Sequence, residues 1–261
     1  MIGMKTQTAA ASAYPEMAQQ LRQLRLSGVL DSLETRIRQA IDERISHVEF
    51  LQLLLADEVA RRESAKMALL LRRAQFASSK TIEQFDFNAV PGINRSLVSD
   101  LLTCRFMGEA SPVLICGPTG TGKSHLAQAI GHEAVRQGKD VLFITHKRLI
   151  AQMHKGRITG NYDRQIAQLA KVSLLIIDDF ALHPMTSPHD EDFHELIAQR
   201  YEQRSVVVTS NLDFTEWDQA FPTNKLLGTA TLDRLLDNAY RLTLDGKSYR
   251  KPRDLKSLKR A

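Results

Sequence analysis

Gly117-Pro118-Thr119-Gly120-Thr121-Gly122-Lys123-Ser124 carries the pattern G-x-x-x-x-G-K-[ST]. The apolar run Val113-Leu114-Ile115-Cys116 precedes it, and a helical pattern follows from Ser124 to Gln137, closed by Gly138 as a C-cap. Strand, glycine loop and helix in that order make a polyphosphate cradle. The glycines let several backbone N–H groups turn inward, and the helix behind them presents the positive end of its dipole. In this geometry Lys123 reaches the β- and γ-phosphates and the Ser124 hydroxyl ligates Mg²⁺, so ATP and Mg²⁺ are the expected cofactors. The nucleotide-binding set is Gly117, Pro118, Thr119, Gly120, Thr121, Gly122, Lys123, Ser124 and the adjoining His125.

Downstream of the loop, strands and helices alternate. Val141–Thr145, Val172–Asp179, Ser205–Asn211 and Tyr240–Leu244 read as strands, with helices over 147–170 and 190–204. The expected fold is therefore α/β, a parallel P-loop sheet covered by helices on both faces. Its ligands should sit beyond the carboxyl ends of the strands, where the phosphate loop, Asp178/Asp179 and Asn211 all fall.

Upstream, residues 15 to 77 read as a small all-helical domain. Apolar residues recur at helical spacing from Met17 to Ile37, Gly28 suggests a break between two helices, and Ser46-His47-Val48-Glu49 has the form of a capping box. The last helix carries Arg61, Arg62, Lys66, Arg72 and Arg73, a DNA or partner contact or else a solvated face. The expected division is 1–14 disordered, 15–77 helical domain, 78–246 ATPase domain and 247–261 basic tail. Phe85 and Phe87 lie in the lead-in to the ATPase domain, placed either to cover an adenine or to serve as core.

With 261 residues and a net charge of +5, the chain favours a polyanionic partner only mildly. Two cysteines make no disulfide framework, no hydrophobic signal region precedes the small-residue run near the N-terminus, and no apolar run approaches the roughly 20 residues of a membrane span. A cytoplasmic protein with no membrane partner is expected. His183, His189 and His194 stand among acidic residues, but their spacing matches no recognised metal motif.

Two further elements carry chemistry. Leu174-Leu175-Ile176-Ile177-Asp178-Asp179 puts two carboxylates at the end of an apolar strand, a costly placement that Mg²⁺ bound to ATP compensates. Asp178 is the expected metal-side acid and Asp179 the acid that polarises the attacking water. Asn211 ends a valine-rich strand, either as an Asx turn or as a sensor of the γ-phosphate.

These three elements in this order resemble an AAA+ ATPase of the clade that holds DnaC-type helicase loaders and IstB-type transposition helpers. Arg22-Gln23-Leu24-Arg25-Leu26-Ser27-Gly28, Glu49-Phe50-Leu51-Gln52-Leu53-Leu54-Leu55 and Gly246-Lys247-Ser248-Tyr249-Arg250 are similar to the IstB-like helpers of insertion sequences in particular. The resemblance implies that Arg234 is an arginine finger acting on a neighbouring subunit's ATP and Arg250 a second sensor, both catalytic beside Lys123, Asp179 and Asn211. It also implies a homo-oligomer, ring or helical filament. Two departures matter: Asp179 stands where the family pattern has Glu, and there is no room for a large lid domain, so slow or partner-stimulated hydrolysis is expected. The clade turns the helices after the second strand toward the axis of the assembly, which makes Lys147, Arg148, Lys155, Arg157 and Arg164 the expected DNA contacts; a solvated loop is the plain alternative. The implied function is an ATP-dependent DNA-binding ATPase that oligomerises on duplex DNA and delivers target DNA to a cognate transposase in DNA recombination. The alternatives are a DnaC-like helicase loader on single-stranded DNA, a P-loop small-molecule kinase and a nucleotide-independent DNA-binding protein.

Overall fold

The computed structural model describes residues 14–246. They form two compact units that divide between Leu69 and Leu70. The first is helical: α1 (Pro15–Gln23) and α2 (Ser27–Glu43), followed by α3 (His47–Ala74), which runs on past the division. Pro15 opens α1, where its missing N–H costs nothing. Ser46 Oγ accepts the Glu49 N–H at 3.2 Å at the start of α3, as the capping pattern requires.

The break between α1 and α2 does not fall at Gly28. It falls at Leu24–Leu26, where Arg25 takes a left-handed backbone with φ 58°, and Gly28 lies buried inside the first turn of α2. A glycine is needed there for a tertiary reason: a Cβ at this position would stand 2.7 Å from the Glu58 Cα on α3. The close approach lets the Glu58 carboxylate cap α2, accepting the N–H of Gly28 at 2.6 Å and of Val29 at 3.3 Å, while Arg62 Nε donates to it at 2.7 Å. An anion at a helix N-terminus meets both unsatisfied donors and the dipole. Burial pushes the Glu58 pKa up, but the Arg62 bond and the two backbone N–H groups outweigh it and hold the carboxyl below the ordinary 4.5. Val29, Leu33 and Leu54 form the small core beneath, with Leu21, Leu26, Ile37 and Phe50 against it.

The second unit is the α/β layer structure. Its helices are α4 (Arg95–Leu102), α5 (Lys123–Arg136), α6 (His146–Ile158), α7 (Tyr162–Lys171), α8 (His189–Arg200) and α9 (Lys225–Leu236). Its strands are β1 (Val113–Cys116), β2 (Val141–Thr145), β3 (Leu174–Phe180), β4 (Ser205–Ser210) and β5 (Tyr240–Thr243). The sheet order is β2-β3-β4-β1-β5, and every pairing is parallel. The strands β1 and β4 are buried along their whole length, the pattern of a sheet covered on both faces. β3 starts two residues later than the apolar run suggests, because the Val172 carbonyl accepts from Arg200 Nη1 at 2.9 Å.

Two stability tests follow from the Glu58 cap. Gly28→Ala should cost about 1–3 kcal/mol in thermal or chemical unfolding of the full chain, the usual range for overpacking. Because the folded pKa of Glu58 is depressed, its contribution is present above the ordinary 4.5 and lost as pH falls through the lower folded value. Glu58→Gln should therefore lower the melting temperature at pH 7 and flatten its decline below pH 4.5; a pH profile parallel to wild type would exclude this role.

Candidate nucleotide site

Gly117 follows directly on β1 with φ 144°, and a Cβ there would run into the Leu244 carbonyl oxygen. Gly122 has φ 98°, and its Cβ would stand 3.0 Å from the Phe85 ring. Only glycine meets both demands, so the loop is closed tightly between β5 and the lead-in segment. Inside it, Lys123 Nζ donates to the carbonyls of Gly117 at 2.7 Å and Pro118 at 2.8 Å, and Thr121 Oγ1 donates to Pro118 at 2.9 Å. Lys123 is also the first residue of α5, so the loop leads straight into a helix N-terminus.

A cavity of about 250 Å³ opens above the loop. Thr119, Gly120, Gly122, Lys123, Ser124 and His125 line one side; Asp179 and Asn211, from the carboxyl ends of β3 and β4, line the other. Three places far apart in sequence, Lys123-Ser124, Asp179 and Asn211, thus face one space. Lys80, Gln84, Phe85 and Asp86 from the lead-in complete the wall. That segment is pinned to α5 by His125, whose Nε2 lies 2.8 Å from the Thr81 carbonyl oxygen, and by Phe85, which meets the His125 ring edge-on at 5.4 Å. Phe85 is buried, and Phe87 packs against it at 5.0 Å.

The two acids of β3 take different positions. Asp178 is buried and accepts the Thr209 hydroxyl at 2.5 Å; the same Oγ1 accepts the Asp179 N–H at 3.1 Å. The register between β3 and β4 breaks between Ile177 and Phe180, and Asp179 has φ 58°, so the backbone turns its side chain out toward the cavity. Thr209, two residues before Asn211 on one face of the strand end, is a site residue that the motifs do not announce. Its signal was a strand hydroxyl in register with an acidic pair.

Other expected residues lie elsewhere. Arg234, in the last turn of α9, donates from Nη1 to the Ala230 carbonyl at 2.9 Å and lines a different cavity with Arg200 and Arg204, beside Pro112 and Val206 at the amino ends of β1 and β4. Arg250 lies outside the described residues. Of the basic set, Lys147, Arg148 and Lys155 are exposed on α6 and Arg164 on α7. Arg157 is committed internally: Nε donates to Asp192 Oδ1 at 2.7 Å, Nη2 bonds the same oxygen, and its guanidinium lies 4.4 Å over the Tyr162 ring. Asp192 is fully buried, so this pair is a structural clamp between α6 and α8. His194 is held by Thr231 Oγ1 at 2.8 Å.

Thr209→Val should leave the loop intact while releasing both acids, lowering ATP turnover by about tenfold, the worth of one hydrogen bond to a charged group. Titration with a non-hydrolysable ATP analogue should give near-wild-type affinity; unchanged turnover would remove Thr209 from the site.

Comparison with known proteins agrees with this geometry. The profile of the family described as IstB-like ATP binding protein matches residues 19–257. An insertion-sequence ATP-binding protein of Mycobacterium tuberculosis is 38% identical over 237 residues, covering 90% of this chain and 94% of its own. The ATP-binding protein of insertion sequence IS21 from Pseudomonas aeruginosa is 36% identical over 230 residues, covering 88% and 86%. Among solved structures, DnaI aligns with a TM-score of 0.56 at 18% identity over 64% of this chain and 92% of its own; AMPPCP-bound DnaA from Aquifex aeolicus aligns at 0.54 and 20% over 66% and 51%. These likenesses show the AAA+ P-loop fold. No helix among the described residues is long and apolar enough to cross a membrane. With a phosphate loop, an acidic β3 end and a polar β4 end around one cavity, and with relatives matching nearly its whole length, the chain belongs to the IstB-like ATP-binding family and is an ATPase of the AAA+ fold.

Proposed function

We propose that this ATPase uses ATP to assemble head-to-tail on duplex DNA and presents that DNA to a transposase. The carrying observation is a division of labour in space. The nucleotide cavity gathers Lys123, Ser124, Asp179 and Asn211 and has no arginine in its lining among the described residues, while Arg234 stands beside the amino ends of β1 and β4, away from its own phosphate loop. This favours a guanidinium for the transition state brought by a second copy, beside any contribution of Arg250, and a head-to-tail contact between copies closes as a ring or continues as a filament.

Within one copy, the loop N–H groups and Lys123 hold the phosphates, Asn211 orients the attacking water, and Asp179 accepts its proton. Asp179 is one methylene shorter than Glu and reaches less far, which favours slow turnover suited to timing an assembly. Ser124 lines the cavity, while Asp178 is turned inward onto Thr209 and outside the lining, so its part would be to hold the hydration shell of the ion; both offer only oxygen donors, a set that suits Mg²⁺. That ion, when bound, neutralises charge on the phosphates. Arg250 remains assigned as a second sensor through the family resemblance.

The exposed Lys147, Arg148, Lys155 and Arg164 supply cations, which suit phosphate contacts and little sequence preference. Arg157, spent on Asp192, is left out of that set. The relatives named for insertion sequences support a transposase as the partner served.

Sedimentation with labelled duplex and single-stranded DNA, with ATP, ADP or no nucleotide, tests the proposal. ATP-dependent large assemblies on duplex DNA are expected, lost in Lys123→Ala and Arg234→Ala and weakened by salt. A single-strand preference would replace the reading with a helicase loader, and a monomer indifferent to DNA would overturn both.

A further inference from the structure

The cavity that holds Arg234 contains more than the expected finger. Arg200, Arg204 and Arg234 all line it, in a space of about 200 Å³ at the amino ends of β1 and β4. These strands run from this cavity to the nucleotide cavity, so the two lie at opposite ends of the sheet.

Arg200 is buried and serves as the anchor. Its Nη1 donates to the carbonyls of Leu169 at 2.8 Å, Ala170 at 3.2 Å and Val172 at 2.9 Å, and its Nη2 to Ser205 at 2.5 Å. It thereby ties the end of α7 to the starts of β3 and β4. The Arg204 N–H donates in turn to the Arg200 carbonyl at 2.9 Å, so the turn that carries Arg204 is fastened to this anchor.

Arg204 itself is exposed and has no ion-pair partner among the described residues. Two of the acids in the same lining are held by neutral hydroxyls and ion-pair with no arginine among the described residues: Asp237 Oδ2 accepts the Tyr201 hydroxyl at 2.6 Å, and Glu109 Oε2 accepts the Tyr240 hydroxyl at 3.1 Å. Glu202 also lines the cavity. An exposed guanidinium in the same lining as Arg234, on a backbone turn fastened to Arg200 and with no ion-pair partner among the described residues, is poised for an anion brought from outside. Phosphate oxygens are the anions a planar fork matches best.

We propose that Arg204 and Arg234 form one phosphate-receiving face, and that Arg204 supplies a second guanidinium to the nucleotide held in the phosphate loop of a second copy. This rests on the reading of Arg234 as acting between copies. Arg200 is a positioning residue in this arrangement, and the second copy completes a site that has no arginine among the described residues of one copy.

Complementation in mixed assemblies of the full chain tests it. Arg204→Ala should keep its fold, judged by circular dichroism and melting temperature. It should lower kcat for ATP by about 10- to 100-fold, the worth of a charge-assisted hydrogen bond, with KM nearly unchanged. Arg204→Lys, which keeps the charge but loses the fork, should fall between. Asp179→Asn keeps the arginine face but lacks the acid; mixed in equal amounts with Arg204→Ala on duplex DNA, it should restore turnover several-fold above the mean of the two alone. Wild-type turnover in Arg204→Ala, or a mixture no better than that mean, would overturn the proposal. Arg234→Ala mixed with Asp179→Asn separates the two ideas. Recovery there without recovery for Arg204→Ala removes Arg204 and keeps the finger; normal turnover in Arg234→Ala removes the finger, and the Arg204→Ala mixture still decides Arg204.

Discussion

Two adjacent carboxylates at the end of an apolar strand are the constraint around which the ATPase unit is arranged. Left side by side, Asp178 and Asp179 would repel each other in a poorly solvated place. Thr209 separates them: its hydroxyl donates to Asp178 while accepting the Asp179 N–H. The break in register and the left-handed backbone at Asp179 then send one acid inward and the other to the cavity. Neighbouring β4 thus shapes the candidate site twice, through Thr209, which holds the acids, and through Asn211 just beyond its end, which lines the cavity.

The phosphate loop depends on the same kind of tertiary support. Its glycines are required by what stands against them, the Leu244 carbonyl at Gly117 and the Phe85 ring at Gly122. Through Phe85 and His125, the lead-in segment is packed onto the start of α5, so the wall of the nucleotide cavity is tied to the loop. A cradle so tied suits a protein whose nucleotide is to be sensed as much as consumed.

In the helical unit one buried carboxylate has a comparable organising part. Glu58 reaches across from α3 to cap α2, and the absence of a side chain at Gly28 makes the approach possible. Removing either would leave a buried helix end without its acceptor or a buried carboxylate without its donors.

The sequence alone was enough for the phosphate loop, the parallel sheet and the acidic strand end. Each is written in contiguous residues whose local geometry is their function: eight positions for the loop, an unbroken apolar run for each buried strand. The helical unit was likewise legible from its period. Tertiary structure decided what depends on partners distant in the chain. It moved the helix break from Gly28 to Arg25, because the reason for that glycine is a contact 30 residues away. It paired Arg157 with Asp192, a buried acid 35 residues away. It brought Arg204 next to Arg234 and set both apart from the phosphate loop. Local pattern specifies backbone conformation, whereas the partner of a charge is chosen by packing, and packing brings together residues that no spacing rule connects.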